Sequence, residues 1–568
     1  MDSVQAIQDE TKADRTISRN EKNEGVQRKL SKSLEGIKDK SLETLVDNIV
    51  VSEEDKVEVQ EDIDKISEQV PRGTFGNPKF YLHFLAVYAS FGGFLYGVDQ
   101  TLVSGALLYL MKDIKLNVGQ ESLITSGVSL GGIPGAIAAI AVNEALGRRG
   151  GIIIACLLDT TGAIMCAAAR SYGVLLPGRL ILGAGIGMEA MTVPTYIAEC
   201  SPKQRRGGLV SLYQVMIVFG LLGGYVVDAI FTNVDGSWRY MLGSSLVFST
   251  ILMTGAIFFP ESPRWLMKRG RYQRALVVWR KLRGFQGDEI EEFVRMKKVV
   301  ETERQFAKPF LVVMMDFLRV PHCRRAFELG VGIMFIQEFS GVATINYYTG
   351  TLFEKLGMTP SHSVYMGMIG EGVFFFSTIP AIYLNDKIGR RWLLLSTMPG
   401  IILGLIITGF SFYAGDKSSK VGLYTWGVVT FYLFWGPGMG PVPWTINSEI
   451  FPTYIRTYGV ASCTIMNFFG NWLTSYEFLR MEKHMTDPGV FIGFYGGIVF
   501  LGWIYLIFFM PETRNLTLEE IKQTFSLSHW EIAKRNWQKA VDDWHLIKAY
   551  FCRQRSSIQN AHPMSQTV

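Results

Sequence analysis

Met241-Leu-Gly-Ser-Ser-Leu-Val-Phe-Ser-Thr-Ile-Leu-Met-Thr-Gly-Ala-Ile-Phe-Phe259 runs for nineteen residues without a charged side chain. A helix rises 1.5 Å per residue, so about 20 apolar residues cross the ~30 Å hydrocarbon core of a bilayer. A soluble core needs no run of that length. Gly151–Ala169, with a single charged residue, reads the same way, and the pattern recurs along the chain. Apolar residues make up 48% of the 568 and charged residues only 19%, with the charges crowded into 1–78 and 264–325. These runs predict an all-α membrane protein and exclude a large soluble one.

The apolar spans fall at roughly 80–109, 122–142, 150–169, 173–198, 208–231 and 240–259, and again at 326–354, 362–384, 391–414, 422–447, 457–478 and 490–510. Six spans, a polar stretch and six more predict twelve transmembrane helices in two six-helix halves, 79–259 and 326–510. A linker with short helices at 260–325 joins them. Gly and Pro recur inside the spans, as close helix packing requires. Residues 1–78 are polar, poor in aromatics and acidic on balance, which predicts a disordered tail with at most transient helix and no secretory signal.

Residues 511–568 form a second tail. In it Trp530, Trp537, Trp544 and Phe551 recur every seven residues on an expected amphipathic helix. That stripe suits a membrane interface or a packing face against loops of the same protein, and the sequence leaves both open.

Basic residues concentrate in the linker and in the short connections at 148–149, 203–206, 390–391 and 456, which places these and both termini in the cytosol. The sequon at Asn515 then lies on the wrong side for glycosylation. The net charge of +5 sits in loops and tails, so it marks no nucleic-acid surface. Six scattered cysteines have no metal spacing. His83, His322, His362 and His484 have no ligand cluster beside them, and no phosphate loop of the GxxxxGK[ST] kind occurs. Neither a metal, a cofactor nor an enzymatic site is expected.

The two halves repeat each other. Leu146-Gly-Arg-Arg149 after the second span matches Ile388-Gly-Arg-Arg391 after the eighth. Glu199 with Arg206 matches Glu449 with Arg456, and Pro260-Glu-Ser-Pro-Arg-Trp265 matches Pro511-Glu-Thr513. Arg148, Arg149, Glu199, Arg206, Glu261, Arg264, Asp386, Arg390, Arg391, Glu449, Arg456 and Glu512 are therefore expected to form a cytoplasmic gate. Its Arg–carboxylate pairs would lock one half against the other.

With these strings go Gly92-Gly-Phe-Leu-Tyr-Gly-Val-Asp99, Gly178-Arg-Leu180, Pro194-Thr-Tyr-Ile-Ala-Glu199, Gln337-Glu-Phe-Ser-Gly341, Asn385-Asp-Lys-Ile-Gly-Arg-Arg391, Gly440-Pro-Val-Pro-Trp444 and Pro511-Glu-Thr-Arg514. In order and spacing they resemble the sugar porter family of the major facilitator superfamily over about residues 78–525, in the style of fungal members. The resemblance implies a multi-pass protein, in the plasma membrane by family default, that works as a single chain by alternating access.

Asp99 lies inside the first span, where an ionisable residue is costly and points to function. Arg179 in the fourth span is the basic residue placed to pair with it, either as a proton-coupling site or as a structural ion pair. The resemblance implies the former, since proton-coupled porters carry Asp and Arg there. Gln214, Gln337, Glu338, Asn346, Tyr347, Trp444, Asn471 and Trp472 are candidate substrate contacts, amides and aromatics of the kind that hold polyhydroxylated molecules. The resemblance matches Gln214, Gln337, Trp444 and Asn471 to sugar-contacting positions and Trp472 to a neighbouring aromatic.

Glu338 replaces the second glutamine of the family's pair, and Ala343 and Phe374 stand where asparagines are common. These departures alter the hydroxyl pattern that the pocket reads. Glu189 and Glu371 admit a structural reading as readily as a second proton site or a substrate contact. The expected partners are a small sugar or polyol, protons and the lipid bilayer. The expected activity is proton-driven symport of a hexose such as glucose or fructose. The alternatives are a polyol or inositol transporter and a non-transporting sugar sensor.

Overall fold

The computed structural model describes residues 51, 53–67, 77–202, 205–283, 288–305, 310–452, 454–514, 516 and 518–542. Among them there are helices and no strands. Among the described residues, nine helices are long and apolar enough to cross a membrane. One of these, Val118–Ala168, is two spans that run on through Gly147, where the backbone leaves helical geometry at φ 88°, ψ 176°. Two further helices complete the set of twelve: Arg456–His484, and Lys417–Trp435 continued by Pro441–Glu449. Both are diluted by polar side chains.

The first half contains Pro78–Asp113, the double helix, Tyr172–Cys200, Arg206–Phe231 and the pair Ser237–Gly243 and Ser245–Phe258. The second contains Pro321–Lys355, Pro360–Asn385, Arg390–Ser411, the interrupted tenth helix, Arg456–His484 and Gly489–Phe509. Lipid cannot satisfy backbone polar groups, so each span closes its own hydrogen bonds as helix. Small residues then let the helices approach. Gly131 and Gly135 of the second helix lie against the backbone of Leu180 and Ala184, and Gly183 and Gly187 of the fourth against Val128 and Gly132. A side chain at any of these would force the pair apart.

The linker carries Pro263–Lys268, Tyr272–Arg283, Asp288–Gln305 and Phe310–Arg319. Against it packs Glu53–Ser67, a helix where the polar composition predicts disorder. Val59 and Ile63 bury with Leu276, Trp279, Phe293 and Val294, and Lys56 and Asp55 pair with Glu291 at 3.2 Å and Lys298 at 2.5 Å. The apolar residues are few but fall on one face, and the linker supplies the surface that they lack alone. Of the rest of the expected N-terminal tail, only residues 51, 77 and 78 are among the described residues.

At the other end, residues 529–542 form a helix. It turns Ile532, Ala533 and Asn536 inward, with Asn536 donating to the Phe508 carbonyl at 2.9 Å. Trp530 stays 78% exposed, while Trp537 stacks on Phe508. The helix thus packs on the protein mainly through Ile532, Ala533 and Asn536, and Trp537 of the tryptophan stripe adds one stacked contact. Trp544, Phe551 and the sequon positions Asn515 and Thr517 lie outside the described residues.

Candidate functional site: a polar core between the two halves

The seventh helix is not continuous. Glu338–Val342 widens into a π turn and Gly341 takes φ 89°. Such a turn frees backbone groups and redirects side chains, and it recurs at functional sites. The tenth helix breaks beside it. Pro443 has no N–H to give the carbonyl of Met439, four residues back, so that carbonyl is left without its helical donor. The Gln337 amide fills it at 2.6 Å and reaches the Gly440 carbonyl at 3.2 Å. Gln214 approaches the same turn: its Nε2 would stand 3.7 Å from a Cβ at Gly440.

Next to Gln337, the Glu338 carboxyl accepts from the amides of Asn467 at 2.5 Å and Asn471 at 3.0 Å. Asn467 also donates to Gln337 Oε1 at 3.3 Å. The Asn471 carbonyl oxygen accepts from Ser129 of the first half at 2.5 Å and from Tyr347 at 3.1 Å. Phe468, one residue after Asn467, meets Tyr96 of the first helix at a centroid distance of 5.7 Å. This polar core therefore sits where the halves touch. Its groups are buried, yet they offer acceptors and donors in alternation, as a polyhydroxylated ligand requires.

About two turns along the seventh helix is a second layer. Tyr432 donates to Asn346 at 2.5 Å and lies 2.9 Å from Glu371, while Phe374 stacks on its ring at 4.7 Å. Trp444 packs partly buried against the hydrophobic core. Trp472 is not brought to the polar core. It forms a column with Phe469 and Tyr476 of its own helix, and its indole N–H has no partner. Beyond the second layer, on the side away from the linker, the halves are closed. Ser104 of the first helix accepts from the Gly350 N–H and from Tyr225, both at 3.1 Å, and Tyr225 also reaches the Asn346 carbonyl.

Asp99 and Arg179 are both buried but do not form the expected ion pair. Asp99 Oδ1 accepts from Ser245 of the sixth helix, while Oδ2 has no partner. Arg179 Nε donates to the Ile124 carbonyl at 3.2 Å, and its Nη2 is unfilled. The guanidinium still attracts Asp99 electrostatically. Ser245 displaces it because it offers a hydroxyl to a carboxyl that lies out of direct reach of Arg179.

The gate residues correct another expectation. Arg148 pairs with Glu199 at 2.7 Å and Arg390 with Glu449 at 3.0 Å, so each pair lies inside one half rather than between the two. The two cradles repeat group by group. Glu261 accepts from the Arg148 N–H at 2.9 Å and Glu512 from the Arg390 N–H at 3.0 Å. Ser262 and Thr513 donate to Glu199 and Glu449 at 2.5 and 2.7 Å. Arg149 and Arg391 cap carbonyls at the ends of the sixth and twelfth helices. Burial pushes the Glu261 carboxyl above its ordinary range, against three backbone N–H groups that hold it down.

Each Arg sits beside a glycine turn, Gly147 or Gly389, that aims it along its own half. Arg264 pairs instead with Glu303 of the linker at 2.6 Å, and Arg456 caps the Phe451 carbonyl at 3.2 Å. The side chains of Arg206 and Asp386 lie outside the described residues.

Asn467, Ser129, Tyr432 and Ser245 join the site without a signal strong enough to single them out. Asn467 alone had even a weak one, since it lies one turn before Asn471 on the same helix face.

Residues 85–525 match the model of the sugar (and other) transporter family. The chain belongs to this family of transporters. Among similar family members, the myo-inositol transporter FST1 of Gibberella moniliformis is 41% identical over 83% of this chain and 84% of its own. The human proton myo-inositol cotransporter is 31% identical over 78% and 82%. The proton:xylose symporter XylE, solved with 6-bromo-6-deoxy-D-glucose, superposes at a TM-score of 0.68 with 25% identity, over 79% of this chain and 100% of that one. The transporter family and the twelve-helix architecture fix the fold as that of the major facilitator superfamily.

Proposed function

We propose that this transporter is a proton-coupled symporter of myo-inositol or a closely related cyclic polyol, working by alternating access. The observation that carries the reading is Glu338, a buried carboxyl between Asn467 and Asn471 at the contact of the two halves. A carboxylate flanked by amides accepts hydroxyl hydrogens, and a ring bearing a hydroxyl at every carbon supplies them. The names of the two relatives described above favour inositol over the hexose expected from the sequence.

Gln214, Gln337, Asn346, Tyr347, Trp444 and Asn471 would complete the pocket. Trp472 would contribute only by packing. Asp99 would carry the proton. A neutral acid needs no counter-ion, which suits its position on Ser245 rather than on Arg179, and losing the proton would draw it to the guanidinium. Cytosolic termini, the plasma membrane and function as a single chain belong to the same proposal.

The test is uptake by proteoliposomes of labelled myo-inositol, glucose, fructose and xylose, with and without an inward proton gradient. Gradient-dependent accumulation of inositol is the expected result. Accumulation of a hexose alone would restore the first expectation, and no uptake of any solute would favour a sensor.

A further inference from the structure

Three carboxyl side chains, those of Asp99, Asp159 and Glu189, meet in the apolar interior of the first half, and the proposed transport mechanism uses only Asp99. Asp159 of the third span and Glu189 of the fourth are both fully buried. Their carboxyl groups lie within hydrogen-bonding reach of each other. Yet neither oxygen of Asp159 finds a donor, and neither does Glu189 Oε2. Glu189 Oε1 has only the Cys156 thiol, at 3.5 Å.

The site is built for these groups. A Cβ at Gly92 would stand 2.9 Å from Glu189 Oε2, and one at Gly185 would collide with Asp159 Oδ1, so glycines on the first and fourth helices make the room. The groups that face the pair are Asp99 from the first helix, Cys156 from the third and Tyr213 from the fifth, whose hydroxyl is itself unpartnered. Among the described residues no cation forms an ion pair with either acid, and Arg179 is engaged elsewhere.

Two ionised carboxylates in contact, without a donor between them, repel. One proton between them replaces that repulsion with a charge-assisted hydrogen bond. We propose that Asp159 and Glu189 form a second proton-binding site, a carboxyl pair that shares one proton and acts electrostatically on Asp99. The ligand is a hydrogen ion, bound between oxygens of two helices that must stay together while it is held. Asp99 interacts with both acids, so a proton leaving either site changes the field at the other. The coupling to Asp99 rests on the proposed symport; the shared proton does not.

The experiment is infrared difference spectroscopy on the full-length protein in lipid, following carboxylic-acid C=O bands as pH is stepped without substrate. Wild type, Asp99→Asn, Glu189→Gln and Asp159→Asn are compared, with thermal melting as the check on folding. One band is expected to be present in wild type, to persist in Asp99→Asn and to be lost in both Glu189→Gln and Asp159→Asn. Spectra of those two variants that superimpose on wild type overturn the proposal, and so does a band that disappears with Asp99→Asn alone. If an amide variant fails to fold, Glu189→Asp keeps the acid: a shifted band supports the pair and an unmoved one refutes it. Since no solute is transported in the measurement, its outcome is independent of the inositol assay.

Discussion

Asp99 and Arg179 are buried neighbours that attract each other and yet make no ion pair. The acid is held by Ser245 and the base by a carbonyl of the second helix. This arrangement joins the first and sixth helices through Asp99 and the second and fourth through Arg179. It leaves a buried unfilled atom on each residue, Oδ2 and Nη2, available for a different pairing.

Asp99→Asn is expected to abolish accumulation of inositol against a gradient while counterflow exchange continues, because the amide cannot exchange a proton. Proteoliposome uptake with and without a pH gradient reads both. Uphill uptake at the wild-type level by this variant refutes the coupling role.

Glu338→Gln replaces one of the carboxyl oxygens that Asn467 and Asn471 hold with an amide nitrogen that cannot accept. A buried donor left without its acceptor costs about 1–3 kcal/mol, so the affinity for substrate should fall by about fivefold or more. Competition binding on purified protein measures it. An unchanged Kd removes Glu338 from the pocket.

Gly147 and Gly389 lie at φ 88°, ψ 176° and φ 104°, ψ 153°, a region that costs other residues about 1–3 kcal/mol. A Cβ at either would also press on Glu261 or Glu512. Gly147→Ala and Gly389→Ala should each lower the melting temperature in detergent, whereas Gly207→Ala, with open space around it, should not.

The ion pairs inside each half predict a pattern of coupling. A double-mutant cycle on melting should give about 0.5–3 kcal/mol for Arg148 with Glu199. The same cycle for Glu199 with Arg390 should give nothing above error. Coupling of similar size across the halves would restore the lock between them.

Val59→Asp should release the helix Glu53–Ser67 from the linker, since it forces a charge into contact with Leu276, Trp279 and Phe293. New protease cleavage within 53–67, at an unchanged melting temperature of the twelve-helix body, is the expected outcome. Continued protection of that segment would show that its docking does not depend on Val59.

Much of this protein was decided along the chain itself. Hydrocarbon about 30 Å thick imposes a helix length, so Met241–Phe259 and its counterparts announce their spans, and duplicated strings such as LGRR and IGRR announce two equivalent halves. Pro443 even declares that the Met439 carbonyl lacks a donor. No local pattern declares which side chain meets which across helices. That Gln337 fills that carbonyl, that Ser245 takes Asp99, that Arg148 turns to Glu199 of its own half, and that Asp159 faces Glu189 all depend on how separate helices pack. A hydrogen bond between distant segments has no signature in either segment alone, because each polar group is equally ready for any partner that the packing brings within 3 Å or so. Tertiary structure alone made those choices.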